Sequence, residues 1–501
     1  MLVKRLPLHK PYSFATMEKD FPYIKDTIFQ DDNAVLKLIS ILERGKADFK
    51  LSTTIENVVM DAHLKKKENN DFQLSFDIKP EWEKFFHMNY FFERPALLVT
   101  YGVQILIRNV DVVGFTQTFS NAPIHATVDI KAFRGDTDDN CWRGTKQTAY
   151  YKIEEQDFNP WQCGILYDMT TEANQTSPNK NALKLEIDKS TVLFYHITTN
   201  ENDRYFVFKT INNINHEKFL HIINSVRSAL ALISGFYMAD YAYYVSVRNG
   251  DHRSLTYRYE KFNETICTNR PLLDHKPYHD VPESERALTA QQFESLVGLL
   301  YHHEDLSRSC ILLTQASNLK GISQGCLAAV ALETITNKIV NGKGTEKLIN
   351  DTATASQLKH EMIKALKTVR DKIEKGVYDV FLSKIGRLNE RSNAQKLETP
   401  FTELGIELDE DEKYCLSCRN LLLHGTLPKT KGEFYKMLTE KELVKIVSNR
   451  LIMLSAILLL KKIGYEYKIV DWGYTEVSKL RAILMGKSVL GAGNAFRTIK
   501  V

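Results

Sequence analysis

A change of hydrophobic period near residue 216 constrains this chain more than any other feature. Before it, from about residue 47 to 210, short runs rich in β-branched and aromatic residues are separated by polar turns: "FQLSFDI", "ALLVTYGVQILIRNVDVVGF", "IHATVDIKAF", "TVLFYHITT" and "RYFVFKTI". In "IHATVDIKAF", Ile124, Ala126, Val128 and Ile130 alternate with His125, Thr127 and Asp129, the period of a half-buried strand. "FRGDTDDN" and "TTEANQTSPNKNA" read as hairpin loops. After it, Phe219, Ile222, Ile223, Val226, Leu230 and Ile233 recur at spacings of three and four, one face of a helix expected to pack on the preceding sheet.

The resulting expectation is an α+β chain. An antiparallel β-rich domain covers 1–268 and closes with a helix near 216–245. A proline-marked linker, "NRPLLDHKPYHDVPESER", falls in 269–288, and an all-α bundle covers 289–501. In the bundle, Thr289 and Ser323 read as N-caps. "ASQLKHEMIKALKTVRDKIEKG" reads as one helix ending at Gly376. The acidic run Asp409 to Glu412 suits a helix N-terminus, and Gly425 followed by Pro428 suits its end. Thr439 and Glu442 have capping-box spacing, and Gly464 closes that helix. Four to six helices are expected.

With 501 residues, two or three domains are expected. The net charge of +4 tolerates an anionic partner such as RNA without requiring one. The cysteines, seven in number, are scattered, which suits a reducing compartment. No signal-peptide core opens the chain. The most apolar run, Leu451 to Leu460, is about half the ~20 residues a membrane span needs, so it reads as a buried core helix. A cytoplasmic protein with no membrane partner is expected.

Chemistry concentrates in "RNLLLHG", where Arg419 is followed by Asn420 and, five residues after the Arg, by His424. The spacing alone is weak, since Arg270 and His275 repeat it. In that copy Pro271 follows the Arg and breaks any helix. Arg419 and His424 instead occupy the last turns of a bundle helix, beside three leucines. Five residues turn a helix by about 140°, so the two side chains diverge. Two copies across a two-fold axis could interleave them, which asks for a homodimer.

This motif, on a late helix of an α-bundle, resembles the signature of HEPN ribonucleases. "CLAAVALETITNKIV", with Glu333 among apolar residues, is similar to the family's first core helix. The β-rich half followed by a bundle resembles the ApeA type, proteins of abortive-infection defence against phage. The helical resemblance covers roughly 290–501. The resemblance implies a metal-independent endoribonuclease acting as a homodimer or higher even-numbered oligomer. It would use the 2′-OH of RNA as nucleophile, leave a cyclic phosphate and need no cofactor. A phage-derived trigger would act at the N-terminal half, and tRNA is a candidate substrate.

The residue types fit that chemistry. An unperturbed imidazole titrates near neutral pH, so His424 suits proton transfer. Arg419 presents a permanently charged fork to phosphoryl oxygens, and Asn420 can orient the Arg or the RNA backbone. Glu333 has two readings, an ion pair with Arg419 or a solvent-facing position. Lys429, Lys431 and Lys436 could steer RNA or form a solvated loop face. The bland account of Arg419 and His424 is charge–dipole stabilisation of a helix end, about 0.3–1 kcal/mol each. On that account the chain is a non-catalytic dimerisation or nucleotide-binding module whose β-rich half recognises a partner.

Other signals are weaker. Cys415 and Cys418 form a CxxC without a second pair at zinc spacing, and small core residues are the simpler reading. The adjacent histidines of "YHHED" point apart on a helix. "NGKGTEK" lacks phosphate-loop spacing and reads as a helix–helix turn.

Overall fold

The computed structural model describes residues 32–44, 47–53, 59–78, 96–100, 103–118, 124–134, 143–153, 165–166, 182–198, 203–238, 240–248, 251–262, 266–268, 270–273, 285, 287–339, 347–390, 393–429, 438–484 and 496–499. They form two compact units. The first comprises 1–161, 166–227 and 237–266; the second comprises 162–165, 228–236 and 267–501.

The first unit is antiparallel β, as the alternation predicts. Its strands are β1 (Ala47–Thr53), β2 (Val59–Lys66), β3 (Phe72–Ile78), β4 (Ala96–Thr100), β5 (Val103–Thr118), β6 (Ile124–Arg134) and β7 (Lys146–Lys152). They continue with β8 (Ala182–Ile187), β9 (Ser190–Thr198), β10 (Arg204–Thr210), β11 (Tyr241–Arg248) and β12 (Asp251–Lys261). The order across the sheet is β3-β2-β1-β4-β5-β6-β12-β11-β7-β10-β9-β8, and β3 also pairs with β6, so the first six strands close into a ring. In that closing pair Leu74 faces Val128 and Phe76 faces Ala126, all four buried. This is the alternation of "IHATVDIKAF" turned into register, because a period of two puts every second side chain on one face. Between β8 and β9, Asp188 and Lys189 both take positive φ, the geometry of a two-residue hairpin turn. The loops expected at "FRGDTDDN" and "TTEANQTSPNKNA" fall almost wholly outside the described residues.

Helix α1 (Asp32–Glu43) buries Val35, Ile39 and Leu42. Its last residue, Glu43, accepts hydrogen bonds from Lys66 at 3.0 Å, Tyr241 at 3.0 Å and Tyr243 at 2.6 Å. The helix expected near 216–245 is shorter: α2 runs His216–Ser234 and stops at Gly235, whose φ is +75°. The tyrosine-rich continuation is strand β11, where bulky aromatic side chains suit a pleated surface. The six apolar residues picked out by the helical spacing are all buried.

The second unit is helical, with nine helices after residue 288 among the described residues rather than four to six. They are α3 (Ala290–His302), α4 (Glu304–Asn318), α5 (Ile322–Ile339), α6 (Thr352–Thr368), α7 (Lys375–Gly386), α8 (Asn393–Glu403), α9 (Glu410–Leu423), α10 (Glu440–Lys462) and α11 (Trp472–Leu484). The segment expected to run unbroken to Gly376 splits, because the backbone leaves α-helix at Val369 and passes through a 3₁₀ turn, Arg370–Lys372, before α7. Gly376 therefore sits inside α7. Ser323 likewise lies within the first turn of α5 and is not its cap. A short pair of strands, β13 (Lys468–Val470) and β14 (Phe496–Thr498), completes the unit.

Helix α5 is the hub, packing on α4, α8, α9 and α10. Thr289 caps α3, and Thr439 with Glu442 closes a reciprocal capping box on α10. Among the described residues α10 is the one helix long and apolar enough to cross a membrane, yet 94% of its apolar window is buried inside the molecule. Leu451 to Leu460 are all core residues.

Candidate active site

Helix α9 carries the Arg–Asn–His motif, and its sequence fixes both of its ends. At the start, Asp409 Oδ1 accepts from the Glu412 N–H at 2.7 Å, while Glu412 Oε2 accepts from the Asp409 N–H at 3.0 Å. This satisfies two of the donors that a helix N-terminus leaves free. At the end, the Gly425 N–H donates to Leu422 O at 3.0 Å and the Thr426 N–H donates to Leu421 O at 2.8 Å. Gly425 has φ +67°, so this is a Schellman turn built on the residue type it requires. His424 is thereby the C-cap residue, with its side chain exposed.

Helices α5 and α9 run antiparallel. The Cys326 thiol donates to Leu422 O at 2.9 Å, and further along α5 Glu333 meets Arg419. The approach is close because Gly325 has no side chain: a Cβ there would lie 2.7 Å from Leu422 Cδ2 and 3.0 Å from Ser448 Oγ.

Arg419 is 6% exposed. Its Nη2 forms an ion pair with Glu333 Oε2, and its Nη1 donates to Asn420 Oδ1 at 2.5 Å. The Nε is buried, and no described residue accepts its proton. The Glu333 side chain is 49% exposed, so both sequence readings of that residue hold together: it faces solvent and it pairs with Arg419. The structure thus gathers Arg419, Asn420 and Glu333. The His424 backbone N–H donates to Asn420 O at 3.2 Å, but no hydrogen bond or ion pair joins its ring to the cluster among the described residues.

Lys429 is exposed, and its carbonyl accepts from the Tyr414 hydroxyl at 2.5 Å, which ties the loop back onto α9. Lys431 and Lys436 lie outside the described residues. Cys415 and Cys418 are 1% and 2% exposed, core residues on the buried side of α9. Burial pushes both thiols above their ordinary range. Among the described residues, no group of three or more His, Cys, Asp or Glu could hold a metal ion. His303 lies between α3 and α4, ending one helix and preceding the next. "NGKGTE" falls outside the described residues.

Sequence reasoning missed what holds the motif helix. Glu412 is fully buried and pairs with Arg497 of β14 at 2.8 Å. Arg450 of α10, also buried, lies 3.2 Å from Asp471 and 3.8 Å from Asp409. Burial pushes the Asp471 carboxyl up, with Arg450 opposing. Asn449 Oδ1 accepts from Gln324 at 2.9 Å and from Arg270 at 3.0 Å. Arg270, set aside as a catalytic candidate, is therefore a packing residue; His275 is outside the described residues. The D-x-x-E spacing of Asp409 and Glu412 signals the capping box alone, and the pairs with Arg497 and Arg450 are long-range.

Comparison with known protein families, curated proteins and solved structures finds no match to this chain.

Proposed function

We propose that the chain is an endoribonuclease of the HEPN type, acting in the cytoplasm in abortive-infection defence against phage. It cleaves RNA, with tRNA a candidate substrate, without a metal. The observation that carries this reading is the state of Arg419: a buried guanidinium held by Asn420 and Glu333, with Nε unused, on the bundle helix that ends at an exposed His424. Its fork suits the phosphoryl oxygens of a crowded phosphorane, and the imidazole suits proton transfer at the 2′-OH or the leaving 5′-oxygen. The 2′-OH attacks the adjacent phosphorus, the bond to the 5′-oxygen breaks, and a 2′,3′-cyclic phosphate and a 5′-hydroxyl end result. His424 and Arg419 are apart in one chain, so the reading calls for a homodimer in which the groups of two chains meet. The β-rich unit restrains or triggers the enzyme.

The test is RNA cleavage and growth arrest on expression. The parent chain cleaves RNA and arrests growth, and His424→Ala, folded by circular dichroism, does neither. Cleavage by His424→Ala at the parental rate ends the enzyme reading and leaves the non-catalytic binding module. Loss of cleavage in EDTA points to a metal nuclease.

A further inference from the structure

The β-rich unit gathers two ammoniums and two phenol hydroxyls around one carboxylate. That carboxylate is Glu43, the last residue of α1, with its side chain 9% exposed. Its Oε1 accepts from Lys66 Nζ at 3.0 Å and from the Tyr243 hydroxyl at 2.6 Å. Its Oε2 accepts from Lys66 Nζ at 3.1 Å and from the Tyr241 hydroxyl at 3.0 Å. The Lys152 ammonium lies 3.7 Å from the same oxygen. The Lys66 and Lys152 side chains are 8% and 11% exposed, a depth at which an ammonium needs an anion close by.

The sheet holds these donors by contacts that do not involve α1. The Lys66 ammonium, at the end of β2, sits 3.4 Å from the centre of the Tyr241 ring. Lys152, at the end of β7, pairs with Asp203 and lies 5.0 Å from the centre of the Tyr205 ring. The Tyr241 and Tyr243 rings, on β11, meet edge-on, and both lean on Tyr259 of β12, with ring centres 5.7 and 5.2 Å away. Strand β2 belongs to the closed ring of strands, whereas β7 and β11 lie beyond it, so two parts of the sheet contribute to one seat. Donors positioned independently of their anion are the property of a preorganised binding site.

The carboxylate, in contrast, arrives on a lightly fastened element. Helix α1 has 12 residues, about the length at which an isolated helix is marginal in water. It packs chiefly on β2, and its buried apolar residues among those described are Val35, Ile39 and Leu42. We infer that α1 is a detachable strap on the β-rich unit, and that the seat beneath Glu43 is a carboxylate-binding site which the strap fills from within the chain. Two oxygens are served by the described donors and no third is provided for, which suits a carboxylate over a phosphate. An outside carboxylate enters only when the strap is lifted, so its binding and strap closure exclude each other and it shifts α1 outwards. The strap and its seat need no second chain and no RNA.

Amide exchange of the full-length chain, followed by mass spectrometry, tests the strap. In the parent, the α1 amides exchange before those of β2 and β11. Glu43→Gln keeps the side-chain volume and removes the charge, and its α1 amides exchange roughly tenfold faster or more while the strands keep their rates. Sodium formate is the probe for the seat, with sodium chloride at equal ionic strength as control. Formate speeds α1 exchange in the parent and chloride does not, because formate captures the lifted state. In Glu43→Ala, whose seat is open, the thermal midpoint rises saturably with formate beyond the chloride effect; adding Lys66→Met removes that excess. If the α1 amides of Glu43→Gln stay as slow as the parent's, or the strands open together with α1, Glu43 serves the fold alone and the strap is overturned. If formate matches chloride in the parent's exchange, the carboxylate site is overturned, whether or not Glu43→Ala folds.

Discussion

The two ends of helix α9 are built differently. At its N-terminus the helix's own acids are sealed into the fold: Asp409 and Glu412 cap each other, fully buried Glu412 pairs with Arg497, and Asp409 lies 3.8 Å from Arg450, whose buried Nε and Nη1 have no hydrogen-bond partner among the described residues. At its C-terminus Arg419 keeps an unused Nε, Glu333 is half in solvent, and the His424 ring has no described partner. A buried donor without an acceptor costs about 1–3 kcal/mol, so such a group persists only where the surroundings hold it in place. The difference between the ends is therefore exposure rather than satisfaction: Glu412 is closed off from solvent, whereas Glu333 and His424 reach it. Rigid support beneath an under-satisfied cluster is what precise chemistry needs.

The largest expected effects come from the C-terminal end and appear in activity. His424→Ala should lower RNA cleavage by about 10²–10⁴-fold, the usual contribution of a positioned acid–base group. Arg419→Lys keeps the charge but loses the planar fork, and should cost about 10²–10³-fold. Single-turnover cleavage checks both, and neither should move the urea midpoint as far as a change at the other end. There, Glu412→Ala strips the partner from Arg497 and should cost about 3 kcal/mol in urea unfolding. If Glu412→Ala leaves stability intact, the clamp is not what fixes α9.

Gly325 lies under the C-terminal end of α9, where its bare backbone lets Leu422 settle onto α5. Gly325→Val should cost about 1–3 kcal/mol through overpacking against Leu422 and Ser448, and should weaken cleavage by shifting the motif. Leu422→Ala added to it should restore part of the stability. Equal loss in the single and double variants would mean the clash is relieved elsewhere.

These residues also mark what the sequence could reveal. The alternation around Ile124–Ile130, the caps at Thr289 and Thr439 and the turns at Gly425 and Gly464 are local, and each is legible because one residue type answers one backbone need. The break at Val369 was hidden, since "KTVRDKIEKG" carries no proline or early glycine to announce it. The clamp at Glu412 joins residues 85 positions apart, and no local pattern encodes such a pair. In the candidate site, the pairing of Glu333 with Arg419 was one of two open readings, drawn from an acid among apolar residues, because a contact between two helices leaves no local pattern to choose by. The separation of His424 was visible only as an angle of about 140°.

Glu333→Gln makes the finest test of the contrast. The carboxylate is half-exposed, so water screens its attraction for Arg419 and the pair adds at most about 1 kcal/mol to stability. Urea unfolding of Glu333→Gln should therefore shift by less than that. The amide keeps the shape and one acceptor but removes the charge that competes with a phosphate for the guanidinium. If Glu333 holds Arg419 in waiting, RNA binds more tightly to Glu333→Gln while the cleavage rate of bound RNA falls, because the fork is no longer aimed. If the pair serves only the fold, both RNA measurements match the parent. A loss of stability as large as that expected for Glu412→Ala would erase the distinction between the two ends of α9.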